Sequence, residues 1–125
     1  MKLAITIWGN RISPVFDAAK TLLVVEIKNG RLWRKEYIPF DPLAIESMLA
    51  IFRNKKINTL ICGAISTHPA EIIVNSDIRL VSFVMGNAHD FLESFTGKNH
   101  IEPVFVMPGC SPEKSSGMTR QESQK

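Results

Sequence analysis

Two cysteines are the most reactive side chains in this chain of 125 residues, and their surroundings suggest what they could bind. Cys62 begins the segment CGAISTH, and Cys110 ends the segment MPGC. Thiols are preferred ligands of soft metals and of metal–sulfur species. Their spacing matches no zinc motif, so only the tertiary structure could bring the two thiols together. The sequence therefore offers two candidate metal ligands but no complete metal site.

The other candidate contacts to a ligand follow three apolar segments, in loops that contain glycine or asparagine. They are Asn10, Arg11, Ser13, Gly63, Ser66, His68, Met85 and Gly86. The arginine can attract an anion, and the glycines let the backbone approach a ligand closely. Two of the loops run into predicted helices, whose N-terminal N–H groups and dipole also favour an anion. These residue types predict a site for an anion beside a thiol.

Each candidate also has a purely structural interpretation. Cys62 ends an apolar segment, where a cysteine is more often a small buried hydrophobe than a ligand. Gly63 and Gly86 are equally typical of turns. His68 stands at the expected start of a helix, and Cys110 is also compatible with an exposed thiol without function. The sequence leaves both interpretations open.

Three strands that could position these loops are visible in the first third of the chain. Apolar and polar residues alternate over 2–7 and predict a first strand. The β-branched run at 22–27 predicts a second, more buried strand. Asn29-Gly30 is typical of a type I′ turn and joins it to a third strand over 31–38. The charged residues of that third strand indicate an edge strand.

Helices and strands alternate in the rest of the chain. Asp41-Pro42 predicts the start of a first helix, with aspartate as the N-cap. Apolar residues at helical spacing give that helix a buried stripe: Ile45, Met48, Leu49 and Phe52. A fourth strand over 58–62, a helix over about 69–75, a fifth strand over 78–84 and a helix over about 87–96 follow.

The order of these elements predicts a mixed sheet. Right-handed crossovers place strands four and five parallel and adjacent. With strand one beside strand four, the sheet order is 3-2-1-4-5 and strand two is antiparallel. We therefore predict a three-layer α/β fold of ribonuclease-H-like topology, with a five-stranded mixed sheet and about three helices. In such sheets a ligand binds beyond the carboxyl ends of the parallel strands, where the candidate loops lie.

The sequence argues against an enzyme. It contains no GxSxG nucleophile elbow, P-loop, GxGxxG or HExxH motif. A nuclease of this topology needs several carboxylates on the strand ends to hold Mg²⁺. The first predicted strand has none, and the aspartates elsewhere are scattered: Asp17, Asp41, Asp77 and Asp90.

Composition limits the remaining classes of protein. About 45% of the residues are hydrophobic and 22% are charged, which is typical of a soluble globular domain. No apolar run approaches the ~20 residues of a membrane helix, and a net charge of +3 is too small to indicate nucleic acid. Two cysteines without a signal-peptide pattern favour the cytoplasm. We predict one domain over residues 1–110 and a disordered polar tail over 111–125.

Five segments, taken in order, carry a resemblance to a known family. They are MKLAI at the start, RISPVFD from residue 11, LLVVEI from residue 22, ICGAIS from residue 61 and MPGC from residue 107. Together they resemble the dinitrogenase iron–molybdenum cofactor biosynthesis family, the NifX-like small proteins of bacteria and archaea. The resemblance spans roughly residues 1–110 and rests on the combination of segments.

The resemblance implies a ribonuclease-H-like fold without nuclease activity. Some family members bind or carry iron–molybdenum–sulfur cofactors or their precursors, and one branch holds a molybdenum–copper sulfide cluster. By this resemblance Cys62 and Cys110 contact the cluster, and Arg11 and Ser13 line the same mouth. The chain lacks the histidine that nitrogenase-associated members often carry after strand one, and Met85, a soft thioether, stands beside the glycine after strand five.

The sequence and the resemblance together predict a non-catalytic protein that binds, carries or stores an anionic metal–sulfur cofactor or its precursor. The expected partners are that cofactor and a protein that accepts or synthesises it, with no nucleic acid and no membrane. The alternative is a protein-interaction or regulatory module that has kept the fold but lost cluster binding.

Overall fold

A mixed β-sheet lies between two layers of helices in the computed structural model, which describes residues 1–98, 101–110 and 113–114. The strands are β1 (Lys2–Trp8), β2 (Arg11–Ile12), β3 (Thr21–Lys28), β4 (Arg31–Pro39), β5 (Thr59–Ile61), β6 (Arg79–Val81) and β7 (Glu113–Lys114). The α-helices are α1 (Ile45–Lys55), α2 (Thr67–Asn75) and α3 (Ala88–Lys98), and short 3₁₀ helices cover Phe16–Ala18 and Pro103–Phe105. Within this part of the chain, no helix is long and apolar enough to cross a membrane.

The sheet has the predicted strand order. The sequence of neighbours is β4-β3-β1-β5-β6-β7, and β2 pairs with the end of β1. β1 is antiparallel to β3 and parallel to β5, and β5 is parallel to β6. The prediction of a mixed sheet with an antiparallel second strand is therefore confirmed. Strands β2 and β7 were not predicted, because two residues are too few for a hydrophobic period.

Alternation along β1 divides the core into two clusters. Leu3, Ile5 and Ile7 face α3, and Ala4 faces α1 and α2. The apolar stripe predicted for the first helix is largely buried against the second face, where Met48, Leu49 and Phe52 are at most 3% exposed. Side chains alternate across a strand, so a central strand needs cover on both faces. This requirement produces the three layers.

The hairpin between β3 and β4 confirms the predicted turn. Asn29 and Gly30 have φ angles of 53° and 72°, the left-handed pair that a type I′ turn requires. β4 lies at the edge of the sheet, and most of its residues are exposed. Lys55 of α1 contacts Glu36 of β4 at 3.2 Å and ties the edge strand to the helical layer.

The start of the first helix was predicted wrongly. The side chain of Asp41 accepts a hydrogen bond from the N–H of Leu43 at 2.9 Å, so Asp41-Pro42 forms a turn before α1. Asp41 is therefore not the N-cap of α1, because the N-cap residue is Ala44 and the helix begins at Ile45. The predicted polar tail, residues 111–125, lies outside the described residues except for Glu113 and Lys114, which pair with β6.

The loops that follow β2 and β5 are joined by main-chain hydrogen bonds. The N–H of Ala64 donates to the carbonyl of Pro14 at 2.8 Å, and the N–H of Phe16 donates to the carbonyl of Ala64 at 2.8 Å. Gly63 permits this approach, because a Cβ at that position would collide with the carbonyl oxygens of Ser13 and Pro14. The two loops therefore form one rigid unit.

We expect Gly63→Ala to lower the free energy of unfolding by about 2 kcal/mol or more, because main-chain atoms cannot rotate away from the added carbon. Gly97→Ala is the matched control. No atom lies within 4 Å of its added Cβ, and its position in α3 favours alanine by up to about 1 kcal/mol. Urea denaturation compares the two variants, and a Gly63→Ala protein as stable as the wild type would contradict the loop packing.

Candidate functional site

The parallel strands β1, β5 and β6 end at the same edge of the sheet, where the predicted site residues other than Cys110 lie. We call this edge the rim and define it as residues 8–15, 62–68 and 83–87. It consists of the β1–β2 hairpin, the loop that leads into α2 and the loop that leads into α3. Ligands of open α/β sheets bind at such an edge.

The β1–β2 hairpin places a cation at the rim. Gly9, with a φ angle of 66°, allows the tight turn, and Trp8 pairs with Arg11 across the hairpin. Both side chains are exposed, Trp8 to 66%. Arg11 and Trp8 are therefore exposed cross-strand neighbours, and a cation with an aromatic residue suits an anionic ligand with an apolar surface.

The N-terminus of α3 is already occupied by protein groups. The N–H of Ala88 donates to the carbonyl of Asn10 at 3.0 Å, and the N–H of Asp90 donates to the side chain of Asn87 at 3.0 Å. The carbonyl of Asn10 and the side chain of Asn87 thus accept hydrogen bonds from N–H groups that were predicted to bind an anion. Asn10 contributes its main chain to the fold, and its side chain is exposed.

The N-terminus of α2 is more open. Ser66 is its N-cap residue, with φ −76° and ψ 164°, yet its side chain makes no capping hydrogen bond. Ser66, Thr67 and His68 are all exposed. The first N–H groups of a helix lack partners within the helix, and the helix dipole is positive there. Among the two predicted helix starts, α2 is therefore the one that can receive an anion.

Ser13, Gly63 and Gly86 shape the rim from within. Ser13 is fully buried, and its hydroxyl donates to the carbonyl of Val15 at 2.8 Å. Gly63 accommodates the neighbouring loop, as described above. Gly86 has a φ angle of 114°, and a Cβ there would lie 3.3 Å from the ring of Phe105. These three residues position the loops, and their surroundings leave them little room to contact a ligand.

Cys62 is buried in the core beneath α2. Its side chain is 0% exposed and belongs to the cluster that contains Ala70 and Ile73 of that helix. Burial raises the pKa of the Cys62 thiol to about 12, because the thiolate would lose its hydration. The thiol is therefore neutral at physiological pH, as expected for the structural alternative that the sequence left open.

Two buried hydroxyls flank Cys62. Ile5 pairs with Ile61, and Ile61 pairs with Val81, so the residues that follow them place Thr6, Cys62 and Ser82 side by side. Both hydroxyl-bearing residues are 0% exposed, and neither hydroxyl has a hydrogen-bond partner among the described residues. A buried unpaired hydroxyl costs stability. Thr6, Cys62 and Ser82 therefore form a buried polar row beneath the rim, and the two unpaired hydroxyls lower the stability of the fold.

Met85 and Cys110 lie at the outer side of the rim. The chain after α3 returns beside the loop that follows β6, where the N–H of Met85 donates to the carbonyl of Phe105 at 2.8 Å. Met85 is 37% exposed, and Cys110 is partly exposed. Cys110 thus occupies the edge of the sheet, whereas Cys62 is in the layer beneath α2. The two predicted metal ligands do not share a surface.

The exposed apolar side chains of the rim were not among the residues predicted from the sequence. Trp8 ends β1 and Val15 follows β2, and they are 66% and 45% exposed. The alternation of β1, extended by one residue beyond Ile7, could have indicated that Trp8 is exposed. Nothing in the sequence signals that Val15 is accessible, because that depends on how the two loops pack.

Comparisons with known proteins establish the family through a family model and the fold through solved structures. The family model described as dinitrogenase iron-molybdenum cofactor matches residues 1–98. The structure of PH0822 is similar with a TM-score of 0.71 at 16% identity, covering 82% of this chain and 93% of that one. A Methanocaldococcus jannaschii protein, provisionally described as a dinitrogenase, has a TM-score of 0.64 at 24% identity, with coverages of 82% and 92%.

A Thermotoga protein, provisionally described as a NifB protein of the DUF35 family, is also similar. Its TM-score is 0.57 at 14% identity, covering 87% of this chain and 98% of that one. At these identities the structural similarities establish the fold alone. No curated protein matches the chain significantly.

We expect Thr6→Val to raise the free energy of unfolding by about 1 kcal/mol, because it removes a buried unpaired hydroxyl at nearly constant volume. Thr59→Val is the matched control. Thr59 is also buried in a parallel strand, but its hydroxyl donates to the side chain of Asn58 at 3.0 Å. That variant should be destabilised. Thermal unfolding separates the two cases, and a loss of stability in Thr6→Val would show that its hydroxyl has a partner.

The two thiols should differ in reactivity. Iodoacetamide at pH 8 should modify Cys110 in the folded protein and Cys62 only after unfolding, because a buried neutral thiol is neither accessible nor nucleophilic. Peptide mass spectrometry assigns the modified residue. Rapid modification of Cys62 in the folded state would contradict the structure.

The raised pKa of Cys62 also predicts a pH dependence of stability. The thiol ionises near pH 9 in the unfolded chain and near pH 12 in the folded one. The stability that the buried neutral thiol contributes to the folded state is therefore complete below about pH 9, and it is lost as the pH rises from about 9 towards 12. The free energy of unfolding of Cys62→Ala should not show this part of the decline when denaturation is measured over the same pH range.

Proposed function

We propose that this chain, which belongs to the dinitrogenase iron–molybdenum cofactor family, binds and carries an anionic metal–sulfur cofactor or its precursor at the rim and catalyses no reaction. The observation that carries the proposal is the uncapped, exposed N-terminus of α2 on the rim that also bears Arg11. A helix N-terminus and a guanidinium both stabilise negative charge.

The side chains present suit a preformed cluster better than one built on protein thiolates. The described residues contain no group of three or more His, Cys, Asp or Glu side chains that could hold a metal ion. The thiol of Cys62 is buried, which leaves Cys110 as the accessible cysteine. An iron–sulfur cluster assembled on the chain itself needs several thiolates. A completed anionic cluster needs only hydrogen bonds, a cation and an apolar surface.

The chain's own residues would hold such a cargo in distinct ways. The guanidinium of Arg11 would supply charge-assisted hydrogen bonds to sulfide or oxo groups. The N–H groups at the start of α2, with the side chains of Ser66 and His68, would supply further donors. The exposed ring of Trp8 would cover part of the cluster. Because a single accessible thiol is available, the cargo would stay easy to release, as a carrier requires.

The exposed apolar residues of the rim support a second contact, to the protein that delivers or accepts the cofactor. Trp8, Val15 and Met85 are 66%, 45% and 37% exposed. Aromatic residues and methionine are enriched at protein interfaces. As part of the proposal, the chain acts in the cytoplasm, where its two free cysteines would remain reduced.

The test is anaerobic reconstitution with iron, sulfide and molybdate, and separately with thiomolybdate and copper. Gel filtration, metal analysis and a visible spectrum then report the bound species. We expect stoichiometric metal with a charge-transfer band in the wild type. Arg11→Gln should weaken binding about tenfold to a hundredfold, because it removes a charge-assisted interaction. Arg53→Gln, which removes an exposed cation at the end of α1 away from the rim, is the matched control.

Other variants identify the mode of binding. Retention of the cluster by Cys110→Ser would support hydrogen-bonded and electrostatic binding, and its loss would identify a thiolate ligand. If Arg11→Gln and Arg53→Gln lose the same amount of bound metal, the net charge of the protein retains the metal and the rim does not. If folded wild-type protein takes up no metal, cofactor carriage is wrong and the alternative of a protein-interaction module stands.

A further inference from the structure

The outer side of β4 is a sheet edge without a partner strand. β4 stands at the end of the strand order, and no described strand pairs with its outer side. All of its residues except the half-buried Ile38 are exposed. Exposed strand edges pair readily with another extended chain, and proteins usually keep them short or covered. β3 separates this edge from β1 and the rim, so the proposed cofactor site does not use it.

The hydrogen-bond pattern shows which main-chain groups of β4 face outwards. The N–H of Phe40 donates to the carbonyl of Lys20 at 3.0 Å, so Phe40 faces β3. Facing residues of antiparallel strands alternate between hydrogen-bonded and non-hydrogen-bonded pairs, and Tyr37 and Lys35 lie an odd number of residues from Phe40. Their N–H and C=O groups therefore point away from the sheet. Pro39 also faces outwards, but it has no N–H to donate.

A β-bulge limits the accessible edge at its other end. The register of β3 and β4 shifts between Glu26 and Ile27, which leaves Trp33 as the extra residue of β4. The Nζ atom of Lys28 lies 4.9 Å from the centre of the Trp33 ring. A bulge interrupts regular pairing. The regular part of the edge therefore spans residues 34–38, and it can accept only a short extended segment.

The charges of this edge favour an acidic partner. The two carboxylates nearest to it are already paired, Glu26 with Lys28 at 3.8 Å and Glu36 with Lys55 at 3.2 Å. Three further cations of β4 form no ion pair within the part of the chain that the structure describes: Arg31, Arg34 and Lys35. Like charges on adjacent strands repel, so a second copy of the same edge is disfavoured. An acidic strand would instead supply the missing carboxylates.

We propose that the outer edge of β4 binds a short, extended, acidic segment of a partner protein as an additional strand. The main chain of Lys35 and Tyr37 supplies the hydrogen bonds, and the alternate side chains supply selectivity. Lys35 lies opposite Val25 and Tyr37 opposite Leu23, so both side chains lie on the face of the sheet that α3 covers. Tyr37 is 60% exposed. The segment should therefore place an acidic side chain beside Lys35 and an apolar one beside Tyr37.

This inference goes beyond cofactor carriage and does not depend on it. The partner strand uses the β4 edge, whereas the proposed cluster site depends on Arg11 and the start of α2. Peptide binding is measured on protein without added metal, so it can fail while cofactor carriage holds. Failure of cluster reconstitution likewise leaves the peptide result unchanged.

The test is fluorescence anisotropy with a short, labelled, end-blocked peptide in which glutamate and valine alternate, at physiological ionic strength. We expect saturable binding to the wild type. Replacing each glutamate by glutamine should weaken binding about tenfold or more, because the complementary charge is lost. A version with an N-methylated main chain should also bind about tenfold or more weakly, because it cannot donate hydrogen bonds to the edge.

Variants of the chain locate the binding site. Lys35→Glu should weaken binding of the glutamate peptide about tenfold or more, because it places a like charge beside the peptide. Lys20→Glu is the matched control, because Lys20 is exposed and lies opposite Phe40, about 16 Å along the sheet from Lys35 and beyond the screening distance. Tyr37→Pro removes an outward N–H that β3 does not use, and it should weaken binding similarly.

Circular dichroism establishes that each variant is folded, and the N-methylated peptide tests strand addition even if Tyr37→Pro does not fold. The proposal is overturned if the folded wild type does not bind the glutamate peptide, or if the N-methylated peptide binds as tightly. It is equally overturned if Lys35→Glu and Lys20→Glu bind alike. A dimer that forms without peptide would assign the edge to a second copy, and tighter binding of single-stranded DNA would assign it to nucleic acid; either result overturns the proposal.

Discussion

The central position of β1 is the constraint on which the rest of the structure depends. It is hydrogen-bonded to β3 on one side and β5 on the other, and its last two residues also pair with β2. A strand enclosed in this way must present apolar residues to both faces, so helices are required above and below it. Because β5 and β6 run parallel to β1, their ends and the loops that follow them meet at one rim. The location of the candidate site is thus a consequence of strand direction.

The contacts that make the rim rigid also remove several groups from ligand binding. The main chain of Asn10 is used at the start of α3, and Gly63 is filled by the neighbouring loop. The groups that remain available to a ligand are mainly side chains, those of Arg11, Ser66, His68 and the exposed Trp8. These side chains offer charge and exposed surface, which the proposed carrier function requires.

Beneath the rim, Thr6, Cys62 and Ser82 form a polar row within a mostly apolar core. Its hydroxyls have no partner among the described residues, and the thiol is held neutral by burial. Such groups lower stability relative to apolar residues of the same size. Cys62 and Cys110 also show that two residues of the same type differ in role when one is buried and the other is not. One thiol is a core residue, and the other is partly exposed at the end of a turn that begins at Met107.

The five longer strands, the three α-helices and the order of the sheet could be predicted from the sequence, because alternation, helical spacing and Asn29-Gly30 are local signals that the packed structure reinforces. The candidate residues other than Cys110 were also correctly assigned to the loops that form the rim. Asp41 was misassigned, because its capping side chain suits a turn as well as a helix. The burial of Cys62, the filling of the start of α3 by the hairpin and the return of the C-terminal segment beside the loop after β6 could not be predicted in this way. These outcomes depend on contacts between residues that are distant in the chain. A local sequence pattern does not specify which distant residues will pack against each other.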